Sequence, residues 1–279
     1  MTIRKKNVLI TGASRGIGHH IAHAIARCGG NVALLALPSD AKRLQCLEAR
    51  LTQLGITARS FVADISDSQQ INKAIKDVAE QFGAIDIFIS NAGIESMGVF
   101  ELQSEQTIEK TVAVNLLAPM LITRKLLPQM LANESGHIVA ISSFAGKMGL
   151  PYQAVYSATK AGLIKWALGM KREFANSGVS FSVISPTYVS RAGMYADILH
   201  MTSEVLTTPK IAGEVTPRQV ARAVVCSIVN DKTDLVVGSP LLRFASVVNE
   251  FIPDIVSGML RFLGILRYNK KLAFIHRKN

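Results

Sequence analysis

The stretch VLITGASRGIG, residues 8–18, decides how this chain folds. An apolar run over Asn7–Ile10 ends in the glycine cluster Thr11–Gly18, and a helical pattern follows to about Cys28. A strand that turns into a helix through a glycine-rich loop makes a phosphate cradle, because the first N–H groups of the helix point at the anion. Gly12 lets the chain turn sharply, Gly16 lets backbone approach a pyrophosphate, and Gly18 lets helix pack on strand. The spacing is GxxxGxG, not the commoner GxGxxG. Three glycines in a turn also occur in loops that bind nothing, so the weight rests on their place between a first strand and a long helix.

Downstream, strand and helix alternate. Gly29-Gly30 is followed by strand Val32–Leu37, a helix over about 40–54, strand Ala58–Val62, a helix over about 68–82 and strand Ile85–Ser90. Helical patterns over about 104–131 and about 154–176 lead to strands Gly136–Ser142 and Val179–Ile184. Thr216 and Pro217 read as N-cap and first residue of a helix ending near Asn230, before a last short strand, Asp234–Gly238. Strands this apolar suit a parallel sheet covered on both faces. The prediction is an α/β chain with a doubly wound parallel sheet, a Rossmann fold, with right-handed crossovers. It comprises a single domain, residues 1–240, and a C-terminal helical extension, residues 241–279.

The 279 residues are 49% hydrophobic and 18% charged, which argues against disorder and for a substantial core. Lys and Arg number 31 against 20 Asp and Glu, a net charge of +11. Residues 241–279 hold +5 of this, from seven basic side chains against Glu250 and Asp254. Such asymmetry points to an anionic partner at that end. Cys28, Cys46 and Cys226 are scattered, without CxxC spacing or a His partner, so neither a disulfide framework nor a metal site is expected. Met1–Lys6 is too short for a signal peptide, and no run of 18 uncharged apolar residues predicts a spanning helix. A cytoplasmic setting is expected, with peripheral contact at a membrane surface as an added option.

Charge also bears on the nucleotide. An NAD site needs an acidic acceptor at the end of the second strand. Here that strand ends in Leu37-Pro38, with Asp40 three residues past Leu37. Arg15 instead lies inside the glycine loop, where it could face a 2′-phosphate, and Lys42 and Arg43 could add to it. NADP(H) is favoured and NAD(H) stays open; a solvated Arg15 is the plainer alternative.

Tyr156 and Lys160 are four residues apart and share one helix face. A phenol with its ordinary pKa near 10 is a poor base at neutral pH, and an adjacent ammonium favours the phenolate. Ser143 ends the strand feeding this helix, at the edge of the expected crevice, where its hydroxyl could hold a carbonyl while Tyr156 exchanges a proton. Singly, each residue has an ordinary explanation. Jointly, TGASRGIG (11–18), AD (63–64), NAG (91–93), VN (114–115), ISS (141–143) and YSATK (156–160) occur in one order.

In these motifs the chain resembles the short-chain dehydrogenase/reductase family in its classical form, over about residues 6–240. The resemblance implies that Tyr156 is the acid/base, that Lys160 binds the nicotinamide ribose and lowers the tyrosine pKa, and that Ser143 orients the carbonyl. It implies that Asn115 holds a relay water and that Asp64 meets the adenine. Asn91, Ala92 and Gly93 would line the cofactor, with Gly12, Ser14, Arg15, Gly16, Ile17, Gly18, Ile65, Pro186 and Val189. Arg15 before Gly16 matches members that prefer NADPH. Two positions depart from the pattern: Thr187 stands for the usual Gly after Pro186, and Arg191 for a common Thr.

Residues 191–215 fall where the family has its substrate lid. Met194, Tyr195, Ile198, Leu199 and Met201 form an apolar helical pattern that is either core or a lipophilic pocket, to which Met148, Leu150 and Tyr152 could contribute. In the extension, Pro253 divides two helical pieces, the second apolar between Ile255 and Leu266 and flanked by Arg261 and Arg267. That pattern fits a helix lying in a membrane surface, or equally one packed in a core or dimer. Without aromatic interleaving or a nucleic-acid fold, no nucleic-acid partner is expected.

The expected function is an NADP(H)-dependent ketone reductase or secondary-alcohol dehydrogenase acting on a hydrophobic, lipid-like substrate. A soluble 3-oxoacyl-carrier-protein reductase is an alternative. A dinucleotide-binding redox sensor or scaffold without turnover is another, though a sensor would need only the glycine loop. The family resemblance implies a homodimer or homotetramer through the helices at about 104–131 and 154–176.

Overall fold

The computed structural model describes residues 1–190, 214–262 and 264–276. Seven parallel strands form one sheet in the order β3-β2-β1-β4-β5-β6-β7. They are β1 Asn7–Thr11, β2 Asn31–Ala36, β3 Ala58–Val62, β4 Ile87–Ser90, β5 Gly136–Ile141, β6 Val179–Pro186 and β7 Asp234–Val237. The helices are α1 Gly16–Arg27, α2 Ala41–Thr52, α3 Ser68–Phe82, α4 Glu105–Val112, α5 Ala118–Ala132, α6 Ala145–Met148, α7 Ala154–Glu173, α8 Pro217–Val229, α9 Pro240–Val248, α10 Pro253–Phe262 and α11 Ile265–His276.

Strand alternation divides the core in two. Val8, Ile10, Val32 and Leu34 pack under Ile21, Ile25, Leu44 and Val220 of α1, α2 and α8. Leu9, Ala33, Leu35 and Phe88 meet Ile71, Ile75, Ile122 and Leu126 of α3 and α5 on the other face. The strand order reverses at β1, which pairs with β2 on one side and β4 on the other. Loops leaving the carboxyl ends of β1 and β4 diverge there and open a crevice.

Local chemistry sets the element ends. Thr216 and Gln219 form a capping box with Pro217 at the first helical position, as the sequence predicts. The continuous helix expected over about 104–131 is broken: a π-helical turn, Ala113–Leu117, separates α4 from α5. Asn115 lies in that turn, and its amide pairs with the backbone of Ile94. The extension has three helices, not two, because Gly264 at φ +75° ends α10 before α11. It folds back on the main body. Leu242, Val256 and Leu260 pack with Phe144, Met148, Leu150 and Tyr156, and Asn249 Nδ2 donates to the Lys147 carbonyl at 3.1 Å. Among the described residues no helix is long and apolar enough to cross a membrane.

Candidate active site

A cavity of about 350 Å³ opens along the carboxyl ends of the strands, within the usual size of ligand sites. At one end the glycine loop is its wall. A Cβ on Gly12, at φ +66°, would lie 2.8 Å from Ala92 Cα. Thr11 and Asn91 join the loop to β4: Asn91 N donates to Thr11 Oγ1 (3.1 Å), and Asn91 Nδ2 to the carbonyls of Thr11 (3.0 Å) and Gly12 (3.1 Å). Arg15 caps α1 in an extended conformation without a side-chain cap. The first N–H groups of α1 are thereby left for an anion, the arrangement a pyrophosphate needs.

The same cavity is lined by Gly12, Ser14, Arg15, Gly16 and Ile17, by Asp64 and Ile65, by Asn91, Ala92 and Gly93, and by Pro186 and Val189. Gly18 does not line it. A Cβ there would stand 2.1 Å from the Gly12 carbonyl oxygen, so Gly18 lets α1 pack on the loop and is corrected from a cofactor contact to a packing residue. Asp40 accepts from Ser14 Oγ at 2.9 Å and pairs with Arg43 at 3.0 Å. Its charge is thus already matched at the place where an NAD ribose would need it. Thr187, at the usual glycine position, fits because Gly238 faces it. A Cβ on Gly238 would be 2.4 Å from Thr187 Cγ2.

Toward the far end, Ser143 follows β5, with its Oγ accepting from Ala145 N at 3.1 Å and hydrogen-bonded to Tyr156. Tyr156 and Lys160 occupy the first turns of α7 and are both buried. Lys160 Nζ donates to the Ile141 carbonyl at 2.9 Å and stands 5.7 Å from the centre of the Tyr156 ring. The expectation that Lys160 lowers the Tyr156 pKa is not met in this state. Burial and the charge of Glu95 push the phenol above its ordinary value, against the hydrogen bond of Ser143. Burial also brings the Lys160 ammonium down to about 8. Desolvation leads both shifts, because both groups leave water together.

Asn115 holds the Ile94 segment in place, beside the relay role that the resemblance implies for it. Its Oδ1 accepts from Ile94 N and its Nδ2 donates to the Ile94 carbonyl, both at 2.8 Å, and Nδ2 also reaches Thr159 Oγ1 at 3.2 Å. Two of the substrate candidates need correction as well. Met148 packs with Phe144 and Leu260, and Tyr152 with Met97 and Tyr268, and neither is among the residues that line the cavity. Leu150, Met97, Ile94, Tyr188, Gln153 and Glu95 line it instead. Glu95 and Tyr188 sit two residues beyond the NAG and Pro186 positions, a nearness to known motifs that was the available signal. Met194 and Tyr195 lie outside the described residues.

The model of the family described as short chain dehydrogenase matches residues 6–202. The chain is 37% identical over 277 residues to the ketoacyl reductase HetN of Nostoc sp. strain PCC 7120, covering 98% of this chain and 94% of that protein. It is 35% identical over 184 residues to the 3-oxoacyl-(acyl-carrier-protein) reductase FabG of Staphylococcus aureus strain Mu50, covering 66% and 74%. Among solved structures, it is similar to an alcohol dehydrogenase of the archaeon Thermococcus sibiricus complexed with 5-hydroxy-NADP. The TM-score is 0.72 and the identity 28%, covering 84% of this chain and 97% of that one. A short-chain dehydrogenase of Sphingobium yanoikuyae in complex with NADPH is similar at TM-score 0.73 and 25% identity, covering 83% and 87%.

Proposed function

The chain belongs to the short-chain dehydrogenase/reductase family, an oxidoreductase by descent, and from that premise we propose that it reduces a lipid-like ketone with NADPH. One observation carries the reading: a single cavity runs from the N-terminus of α1 to Ser143, Tyr156 and Lys160. A nicotinamide cofactor bound there would supply the hydride. Gly12, Gly16 and the α1 N-terminus hold the pyrophosphate, and Arg15 meets the 2′-phosphate. The pairing of Asp40 with Arg43 supports NADPH over NADH, as do the NADP and NADPH complexes of the similar structures.

Ser143 Oγ hydrogen-bonds the substrate carbonyl and sets its oxygen beside the phenol. Tyr156 keeps its proton at neutral pH, because burial raises its pKa, and donates it to the oxygen as negative charge develops there. Asn115 holds the Ile94 loop against the site. The apolar walls of Ile94, Met97 and Leu150, and the names of the relatives, support a 3-oxoacyl-type chain as substrate. The Staphylococcus relative supports a carrier-bound form of it as a second reading.

The outer face of α9 and α10 supports peripheral membrane contact through residues 241–279. Phe244, Val247, Ile255, Phe251 (81% exposed) and Phe262 (89% exposed) are exposed in this extension, as are Arg243, Arg261, Arg267, Lys270 and Lys271. Apolar bulk bordered by cations is what an anionic lipid surface takes up. Self-association through α4, α5 and α7 as a dimer or tetramer completes the reading.

The test is NADPH oxidation with dodecan-2-one and a 3-oxoacyl thioester. Turnover that Tyr156→Phe abolishes, while NADPH still binds, supports the mechanism; turnover unchanged in Tyr156→Phe sinks it. Co-sedimentation with phosphatidylglycerol vesicles, lost in the triple variant Phe244→Glu, Phe251→Glu, Phe262→Glu, supports the lipid contact.

A further inference from the structure

The reaction uses Ser143, Tyr156 and Lys160, and leaves the carboxyl of Glu95 in the cavity without a task. Glu95 lies just past the NAG loop, on the wall shared with Ile94, Met97 and Leu150. Its carboxyl accepts from Nε2 of Gln153, which is itself 7% exposed and lines the same cavity. The two loops that carry the pair are fastened together by Gly98 N donating to the Tyr152 carbonyl at 2.8 Å. Tyr152 holds a left-handed backbone, φ +65°, immediately before Gln153. The carboxyl is thus positioned from both sides.

Gln153 is the one hydrogen-bond partner that Glu95 has among the described residues, and a carboxyl has two oxygens with about four acceptor sites. A half-buried carboxyl with one partner keeps acceptor sites for a ligand that enters the cavity. Desolvation pushes its pKa up to about 7, and its charge acts on the Tyr156 phenol, which puts it within electrostatic reach of the reacting group.

We propose that Glu95, held by Gln153, is the polar recognition point of the substrate cavity. It accepts a hydrogen bond from a hydroxyl or ammonium group that the substrate carries near its reacting carbonyl, and so selects hydroxyketones or aminoketones over plain apolar ketones. The proposal rests on the NADPH-dependent reductase reading above, but not on its 3-oxoacyl substrate class, which carries no such donor beside the reacting carbonyl. A plain ketone leaves the carboxyl unpaired among apolar walls, and sites built to bind a polar group reject analogues that lack it. A donor on the substrate also offsets the negative charge that holds the Tyr156 proton, so the same contact that selects the substrate eases the proton's departure.

The test compares dodecan-2-one, 1-hydroxydodecan-2-one and 1-aminododecan-2-one with the full-length protein and NADPH. Both kcat/KM and equilibrium binding to the NADPH-loaded protein are measured. Wild type is expected to favour the donor-bearing ketones by about tenfold or more. Glu95→Leu brings both ratios to within about twofold. Glu95→Gln, whose amide oxygen still accepts, keeps the hydroxyl preference and loses the ammonium preference. No preference in wild type, or a preference that survives in Glu95→Leu, overturns the proposal. If all three ketones are bound with the expected preference but none is turned over, the reductase reading falls and the Glu95 site stands. If all are turned over without preference, the outcome is reversed.

Discussion

At the glycine-loop end of the cavity the wall is mostly backbone: Gly12, Gly16, the Thr11 and Gly12 carbonyls held by Asn91, and the first turn of α1. At the other end the wall is made of side chains, Met97, Leu150, Gln153, Glu95 and Tyr188, from segments far apart in sequence. Behind them α10 and α11 add Leu260 and Tyr268 as a second layer. A wall of backbone needs a few glycines at fixed spacing and tolerates little else, because a Cβ at Gly12 would stand 2.8 Å from Ala92 Cα. A wall of side chains is free to change its lining while the strands beneath it stay the same. The first end therefore recognises what all its substrates share, a dinucleotide, and the second recognises what differs among them.

The sharpest way to separate the ends is Tyr156→Phe. Ketone turnover should fall by about 10²–10⁴-fold while the NADPH dissociation constant moves little, as read by steady-state kinetics beside nicotinamide fluorescence. A parallel loss of NADPH binding would mean that the two ends are not independent.

Acid tests whether the shared sheet unfolds as one unit. His137 on β5 is buried, bonded to Ser182 Oγ at 2.8 Å, and held neutral by desolvation down to about pH 4. The unfolded chain takes up that proton near pH 6.5, before the folded one does. Stability is therefore full above pH 6.5 and falls by about 3 kcal/mol as pH drops to 4. Urea titrations across that range should show the slope, and His137→Asn should flatten it.

Gly18→Ala presses on the backbone end alone. Overpacking should lower stability by about 1–3 kcal/mol in thermal or urea unfolding and weaken NADPH binding. If NADPH affinity were kept, the close packing of α1 on the loop would not be needed for the cradle.

The smallest effect belongs to Arg15→Ala. The NADPH-over-NADH preference should drop by about ten- to a hundredfold in dissociation constants, the size of one charge-assisted contact, with the unfolding midpoint unchanged. An unaltered preference would give the 2′-phosphate to Lys42 or Arg43 instead.

The backbone end and the reacting set were largely legible in the sequence, since Gly12, Asn91, Ser143, Tyr156 and Lys160 each sit at a strand end or on a helix whose period can be counted. The side-chain end was not. Met148 and Tyr152 carried the right chemistry at the right place along the chain, yet they pack beside the lining residues and are not among them. Glu95 looked like any loop carboxylate until Gln153 and Tyr156 came within its reach. The extension read as an appendage with a tail, but Leu242, Val256 and Leu260 pack on the residues around Tyr156.

By itself the sequence determined the parallel sheet, the glycine cradle and the Ser143, Tyr156 and Lys160 set, because these depend on residue type and on spacings that the helix and strand periods turn directly into geometry. Only the tertiary structure decided the protonation of Tyr156, the partner of Asp40, the break at Asn115 and the walls of the far pocket. Each of these depends on which groups from distant segments exclude water together, and burial, unlike spacing, is a property that no segment carries alone.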